Sequence, residues 1–206
     1  MIWTNIALWC GWIGCALSAV FAIPQALRLL RGDPSSGIAL LPWQALLASN
    51  LAWSIYSLIT AQPPLFVSYT VSVIVAVVVI GKLARGKPRN LTASIGIPVA
   101  AGLGMLLTLP IPILFGIITI VPSTIGWIIQ LIRIRRSGRP PGLSITSLLL
   151  YLTCLLIWLT YAVIVRDLAL AVSTIPLILV ISMNIGAFCL ASRAATRCRH
   201  DYSTRP

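Results

Sequence analysis

"FAIPQALRLLRGDPSSG", residues 21–37, closes an apolar run with a Pro-Gln pair and then turns through arginines into Pro, Ser and Gly. One hundred and five positions on stands "GWIIQLIRIRRSGRPPG", residues 126–142, in the same frame. Gln25 meets Gln130, Arg28 meets Arg133, Arg31 meets Arg136 and Gly37 meets Gly142. The register continues without a gap to Trp53/Trp158 and Tyr56/Tyr161. Apolar identities mean little in leucine-rich sequence, but these are polar, aromatic or glycine matches. They indicate one unit used twice.

Composition says where such a unit folds. The chain has 206 residues, of which 59% are hydrophobic and only 9% charged, with a mean hydropathy of +1.01. A soluble domain cannot hide that much apolar surface, so the expected class is an all-α integral membrane protein. The net charge of +12 is gathered in short clusters between apolar runs. That pattern belongs to membrane topology, so no nucleic-acid partner is expected. The five cysteines, at 10, 15, 154, 189 and 198, make no metal-ligand or disulfide spacing and read as small buried residues. The N-terminus lacks the basic start of a signal peptide and reads as a retained first span.

A spanning helix needs ~20 apolar residues to cross ~30 Å of hydrocarbon. The hydropathy pattern predicts seven, at 4–30, 38–60, 65–83, 91–109, 112–134, 143–164 and 168–192. All basic residues but Arg166 then fall on one side: the 1–2, 3–4 and 5–6 loops and the C-terminal tail. By the positive-inside rule the N-terminus lies outside and the C-terminus in the cytosol of a multi-pass plasma-membrane protein.

Helices 1–3 and 5–7 form the duplicated units. Three is odd, so two fused copies would point oppositely without an extra crossing. Helix 4 supplies it. The expected architecture is 3+1+3, two parallel three-helix bundles joined by an inversion-linker helix. The expected boundaries are 1–83 for the first repeat, 84–110 for the linker, 111–192 for the second repeat and 193–206 for a basic tail. The small residues of "IGIPVAAGLG" in helix 4, with Gly96, Gly102 and Gly104, suit close helix packing.

A Pro-Gln pair late in helix 1, a basic turn with Gly, and the N-L-x-W-x-x-Y pattern of Asn50–Tyr56 together resemble a PQ-loop repeat. Helices 6 and 7, "IWLTYAVIVRDLALAVSTIPLIL", are similar to the second and third helices of the SemiSWEET and SWEET sugar transporters. The resemblance covers most of the chain outside helix 4 and the tail. It implies alternating access around a pocket between the two units, with a tryptophan and an asparagine from each half.

Trp53 and Trp158 match those tryptophans. An indole face suits the C–H face of a sugar, and its N–H donates one hydrogen bond; interfacial anchoring is the alternative for a membrane tryptophan. At the asparagine positions, sixteen residues further on, stand Tyr69 and Thr174. Each offers a hydroxyl where asparagine offers a donor and an acceptor. Asn50 shares a face with Trp53, and the repeat-related Ser18 and Ser123 could line the cavity. Asn184 is an amide deep in helix 7, fit for substrate contact or for gluing helices.

Pro24 removes a ladder hydrogen bond and bends helix 1, with Gln25 placed to satisfy the freed group or to bond a neighbouring helix. A static kink and a hinge both fit; the resemblance favours a hinge near the cytosolic mouth. Gln130 keeps its place in the second repeat, but Pro24 is matched by Ile129 and Pro42 by Ser147, while Pro122 and Pro176 are new. These prolines, with Gln25, Gln130, Tyr56 and Tyr161, are the candidate hinge and gate residues.

No Asp or Glu lies inside a predicted span: Asp33, Asp167 and Asp201 fall in loops or tail, as does His200. Proton-coupled carriers keep a titratable group on the path. The expectation is therefore a facilitator for a small neutral polar solute, sugar first, needing no cofactor. An amino-acid or other metabolite carrier, and a non-transporting receptor or assembly protein, stay open on the same fold. No nucleophile–base pair, metal set or phosphate loop points to an enzyme. One chain supplies both halves of a pocket, so a monomer suffices and a homo-oligomer stays open.

Overall fold

The computed structural model describes the backbone of residues 2–30, 40–84, 88–138 and 143–203. The side chains of 2, 4, 21–30, 88–91, 137 and 193–203 lie outside the described residues, and with them those of Pro24 and Gln25. Within these bounds the protein is all-helical: α1 (Ile2–Leu30), α2 (Leu40–Ile59), α3 (Pro63–Leu83), α4 (Pro88–Met105), α5 (Pro112–Ser137), α6 (Ile145–Val165) and α7 (Leu168–Ser203). A 3-10 turn, Leu106–Thr108, follows α4.

The ends are set by local chemistry. α3 and α5 start on prolines, whose missing N–H would be unpaired in the first turn anyway. α6 starts at Ser144, whose hydroxyl accepts the Ser147 N–H at 3.0 Å. α5 stops at Gly138, φ +76°, a backbone setting that a side chain disfavours.

Four stretches are long and apolar enough to cross a membrane: Pro63–Leu83, Pro112–Arg136, Ile145–Val165 and Leu168–Ser192. Seven were expected. In α1 and α4 the apolar runs among the described residues are shorter, Asn5–Val20 and Thr92–Thr108. α2 is diluted by Gln44, Ser49, Asn50, Ser54 and Ser57, most of which turn inward. α7 runs past the expected span end at 192, so residues 193–203 of the basic tail continue it as helix.

α3 lies against both α1 and α2, and α7 lies against both α5 and α6. The two groups meet through α1 on α6 and α2 on α5, and α4 rides on α2. Gly102 lets α4 approach, since a Cβ there would sit 2.6 Å from the Ala48 carbonyl oxygen. Gly96 and Gly104 face open space, so the expected packing stripe narrows to one glycine.

The core is in three pieces. Trp53, Tyr56, Leu65, Phe115, Trp158 and Tyr161 belong to one cluster that joins both groups. Trp43, Leu47, Val79 and Ile80 form a second within α2 and α3. Leu155, Leu177 and Ile181 form a third within α6 and α7. The groups thus share a core toward the end bearing the α2–α3 and α6–α7 turns, and keep separate cores toward the other.

Candidate functional site

The two turns at the shared end repeat one structure. Ala61 and Arg166, 105 apart, both adopt left-handed backbone, φ 52° and 58°. The Gln62 N–H donates to the Ser57 oxygen at 2.9 Å, and the Asp167 N–H to the Ala162 oxygen at 2.8 Å. Ala61 to Leu58 and Arg166 to Val163 both measure 3.3 Å. Each turn therefore closes its helix by the paired bonds of a Schellman motif.

The turns also touch. Gln62 Nε2 donates to Asp167 Oδ2 at 2.7 Å, and the Tyr56 hydroxyl donates to Asp167 Oδ1 at 2.8 Å. The Leu170 N–H adds a third bond at 3.0 Å, making Asp167 the cap of α7. The carboxylate is buried, which is tolerable because donors surround it. Beneath it, Tyr56 stacks on Phe115 at 5.0 Å and meets Trp53 edge-on at 5.2 Å. Tyr161 meets Trp158 edge-on at 5.6 Å. Together these residues seal that end between the groups.

On the far side of the seal lies a cavity of about 270 Å³ between the groups. It extends from the level of Trp53 and Trp158 to Trp43 and Ala76, near the opposite end of the bundle. Residues 105 apart in sequence line it in pairs: Ser18/Ser123, Trp53/Trp158, Ser68/Ser173 and Tyr69/Thr174. No Asp, Glu, Lys, Arg or His lines it among the described residues.

The two sides differ in how their polar groups are used. Trp158 Nε1 donates to Ser18 Oγ at 3.2 Å, and that hydroxyl lies 2.8 Å from the Gly14 oxygen, to which it donates. Thr174 donates to the Leu170 oxygen at 2.6 Å. Trp53 stacks on Tyr69 at 5.4 Å, and its N–H has no acceptor among the described residues. The Asn50 amide and the Ser123 hydroxyl likewise have no hydrogen-bond partner there. Free donors and acceptors are thus concentrated around Trp53, Asn50 and Ser123.

Of the residues singled out from sequence, Ser18, Asn50, Trp53, Tyr69, Ser123, Trp158 and Thr174 line this one cavity. Asn184 does not. It is fully buried, and its Nδ2 bonds the Trp127 oxygen at 3.2 Å and the Val180 oxygen at 2.8 Å, tying α7 to α5. Tyr56 and Tyr161 sit in the seal. Pro122 and Pro176 lie inside α5 and α7. Pro42 lies two residues after the first described residue of α2. Gln130 is half-buried in α5 and off the cavity wall.

Sequence inspection missed Gln62 as a partner of Asp167, because the pair differs in residue type. It also missed Ser68/Ser173, identical residues at the same 105 spacing, and Cys154, whose thiol lies 3.6 Å from the Ser18 hydroxyl at the cavity wall. Comparison with protein-family models, curated proteins and solved structures gives no match to this chain. The fold and site define the class: among the described residues, an all-helical protein with four membrane-length apolar helices and an internal cavity lined by no charged side chain.

Proposed function

We propose that the chain is a SWEET-like facilitator that carries a small neutral polar solute, a sugar first of all, across the plasma membrane. Its two three-helix units are parallel repeats joined by α4, with the N-terminus outside and the C-terminus in the cytosol. The observation that carries this is the uncharged cavity, walled by the repeat-related pair Trp53/Trp158 and a ring of hydroxyls.

Chemistry and size both support it. Indole faces accept the C–H face of a sugar ring, while hydroxyls and the Asn50 amide suit its diols. A volume of about 270 Å³ falls just under the ~300 Å³ at which drug-sized pockets begin, so it suits a monosaccharide rather than a longer sugar. The charged ends of an amino acid would find no counter-charge among the described lining residues, and unpaired buried charge is costly.

The mechanism follows from the seal. The bonds from Tyr56 and Gln62 to Asp167 hold the outer end shut while the units diverge toward the cytosol. Binding energy from the solute draws the inner ends together, and the outer bonds part as the units rock. α5 and α7 bend at Pro122 and Pro176, where the ladder already lacks a bond.

The test is counterflow of labelled monosaccharides and neutral amino acids in proteoliposomes of the pure protein, with and without a proton gradient. Sugar exchange that ignores the gradient supports the proposal. Gradient-driven accumulation, or exchange of amino acids alone, overturns it.

A further inference from the structure

A second concavity lies outside the central cavity, in the groove between α5 and α7, with a volume of about 450 Å³. Ile134 and Arg135 form one wall. Met183, Gly186, Ala187, Leu190 and Ala191 form the other. The α7 positions follow the i, i+3, i+4, i+7, i+8 spacing of a single helix face. Gly186, Ala187 and Ala191 hollow that face into a trough, and a Cβ at Gly186 would meet nothing within 4 Å.

The trough spans eight residue steps, or ~12 Å along the helix. That is most of one leaflet of a ~30 Å hydrocarbon core. Arg135 stands at its mouth, in the last turn of α5, exposed and without an ion-pair partner among the described residues. Arginines at a helix C-terminus serve topology and the helix dipole in any case. Neither role calls for a small-residue trough running away from the guanidinium into the apolar zone. A cation at headgroup depth with an acyl-sized channel beneath it is complementary to one anionic amphiphile.

We infer that the α5–α7 groove binds one anionic phospholipid of the cytosolic leaflet, its phosphate on Arg135 and an acyl chain against Gly186, Ala187 and Ala191. The lipid then covers the outer edge of the α5–α7 pair. This rests on the membrane reading but not on transport, so it is tested by lipid retention and not by flux.

The experiment is native mass spectrometry of the full chain in detergent, with phosphatidylglycerol or phosphatidylcholine of matched chains. The expected result is a single retained phosphatidylglycerol at roughly five-fold preference, about the worth of one arginine at an anionic surface. Arg135→Gln abolishes the preference. Arg133→Gln, on the other side of α5, leaves it. Gly186→Leu lowers retention of both lipids, and its side chain enters open space, so folding is not at stake. Four results would overturn the inference. They are equal retention of the two lipids, equal loss in Arg133→Gln and Arg135→Gln, full competition by soluble glycerol phosphate, and efficient cross-linking of Gly186→Cys to a second copy.

Discussion

Gln62 and Asp167 are one position of the repeat counted twice, and they are in contact, Nε2 to Oδ2 at 2.7 Å. The contact therefore puts the two turns side by side at one end of the bundle. Chemistry differs where geometry agrees: one half supplies an amide donor and the other a carboxylate acceptor. Two identical carboxylates here would repel. A fused pair of repeats can make the two positions unlike, and so can close the end with a charge-assisted bond.

Loss of the neighbouring bond from the Tyr56 hydroxyl to Asp167 should, on the proposed orientation, unlatch the outer end. Tyr56→Phe removes one hydrogen bond to a charged group, worth ~1.5–3 kcal/mol, while keeping the ring on Phe115. The balance between outward-closed and outward-open forms should move by about ten-fold or more. The readout is a membrane-impermeant thiol reagent applied outside, on Ser123→Cys in a cysteine-free background. Faster labelling in Tyr56→Phe is expected; an unchanged rate would mean the seal lies elsewhere.

The repeat also duplicates a close helix approach. A Cβ on Gly11 would lie 2.9 Å from the Pro64 side chain, and a Cβ on Gly116 would collide with the Ala169 carbonyl oxygen. Both glycine and partner are 105 apart. A carbonyl cannot yield as a side chain can, so Gly116→Ala should cost ~1–3 kcal/mol as overpacking, and Gly11→Ala less. Gly96→Ala and Gly126→Ala face open space, so they should gain up to ~1 kcal/mol of helix propensity. Thermal unfolding in detergent gives the order directly.

Much of this was legible from residue identity at a fixed spacing. Trp53/Trp158 and Ser18/Ser123 came through because the same residue recurs, and they line one cavity. Helix positions came from hydropathy, which a bilayer writes plainly into sequence. What identity could not reveal was complementarity. Gln62 and Asp167 are unlike, so a search for matches passes over them, though burial makes them partners. The two roles open for Asn184 were also beyond sequence, since helix periodicity gives spacing along α7 but not the neighbour on each face.

The two asparagines should separate cleanly. Asn50→Ala removes an amide that has no partner among the described residues, so stability should hold within ~0.5 kcal/mol while solute KM rises. Asn184→Leu breaks the tie to the Trp127 oxygen and should lower stability by ~1 kcal/mol with KM unchanged. Unfolding and counterflow on the same preparations check both. A KM effect from Asn184→Leu would place that amide on the solute path.

The tryptophans should divide in the same way, although symmetry alone would make them equal. The Trp158 N–H is already spent on Ser18, at 3.2 Å, whereas the Trp53 N–H has no acceptor among the described residues and its ring lines the cavity. Either tryptophan changed to Ala removes a large buried ring at ~3–5 kcal/mol, which would confound transport with folding. Phenylalanine keeps most of the ring and removes the donor. Trp53→Phe should therefore leave unfolding almost unchanged and raise the KM of the carried solute about three- to ten-fold, the worth of a hydrogen bond of ~0.5–1.5 kcal/mol. Trp158→Phe should do the reverse, losing about 1 kcal/mol of stability with a smaller change in KM. Equal KM effects would mean that Ser18 releases Trp158 when solute arrives, and that the asymmetry of the cavity does not survive binding.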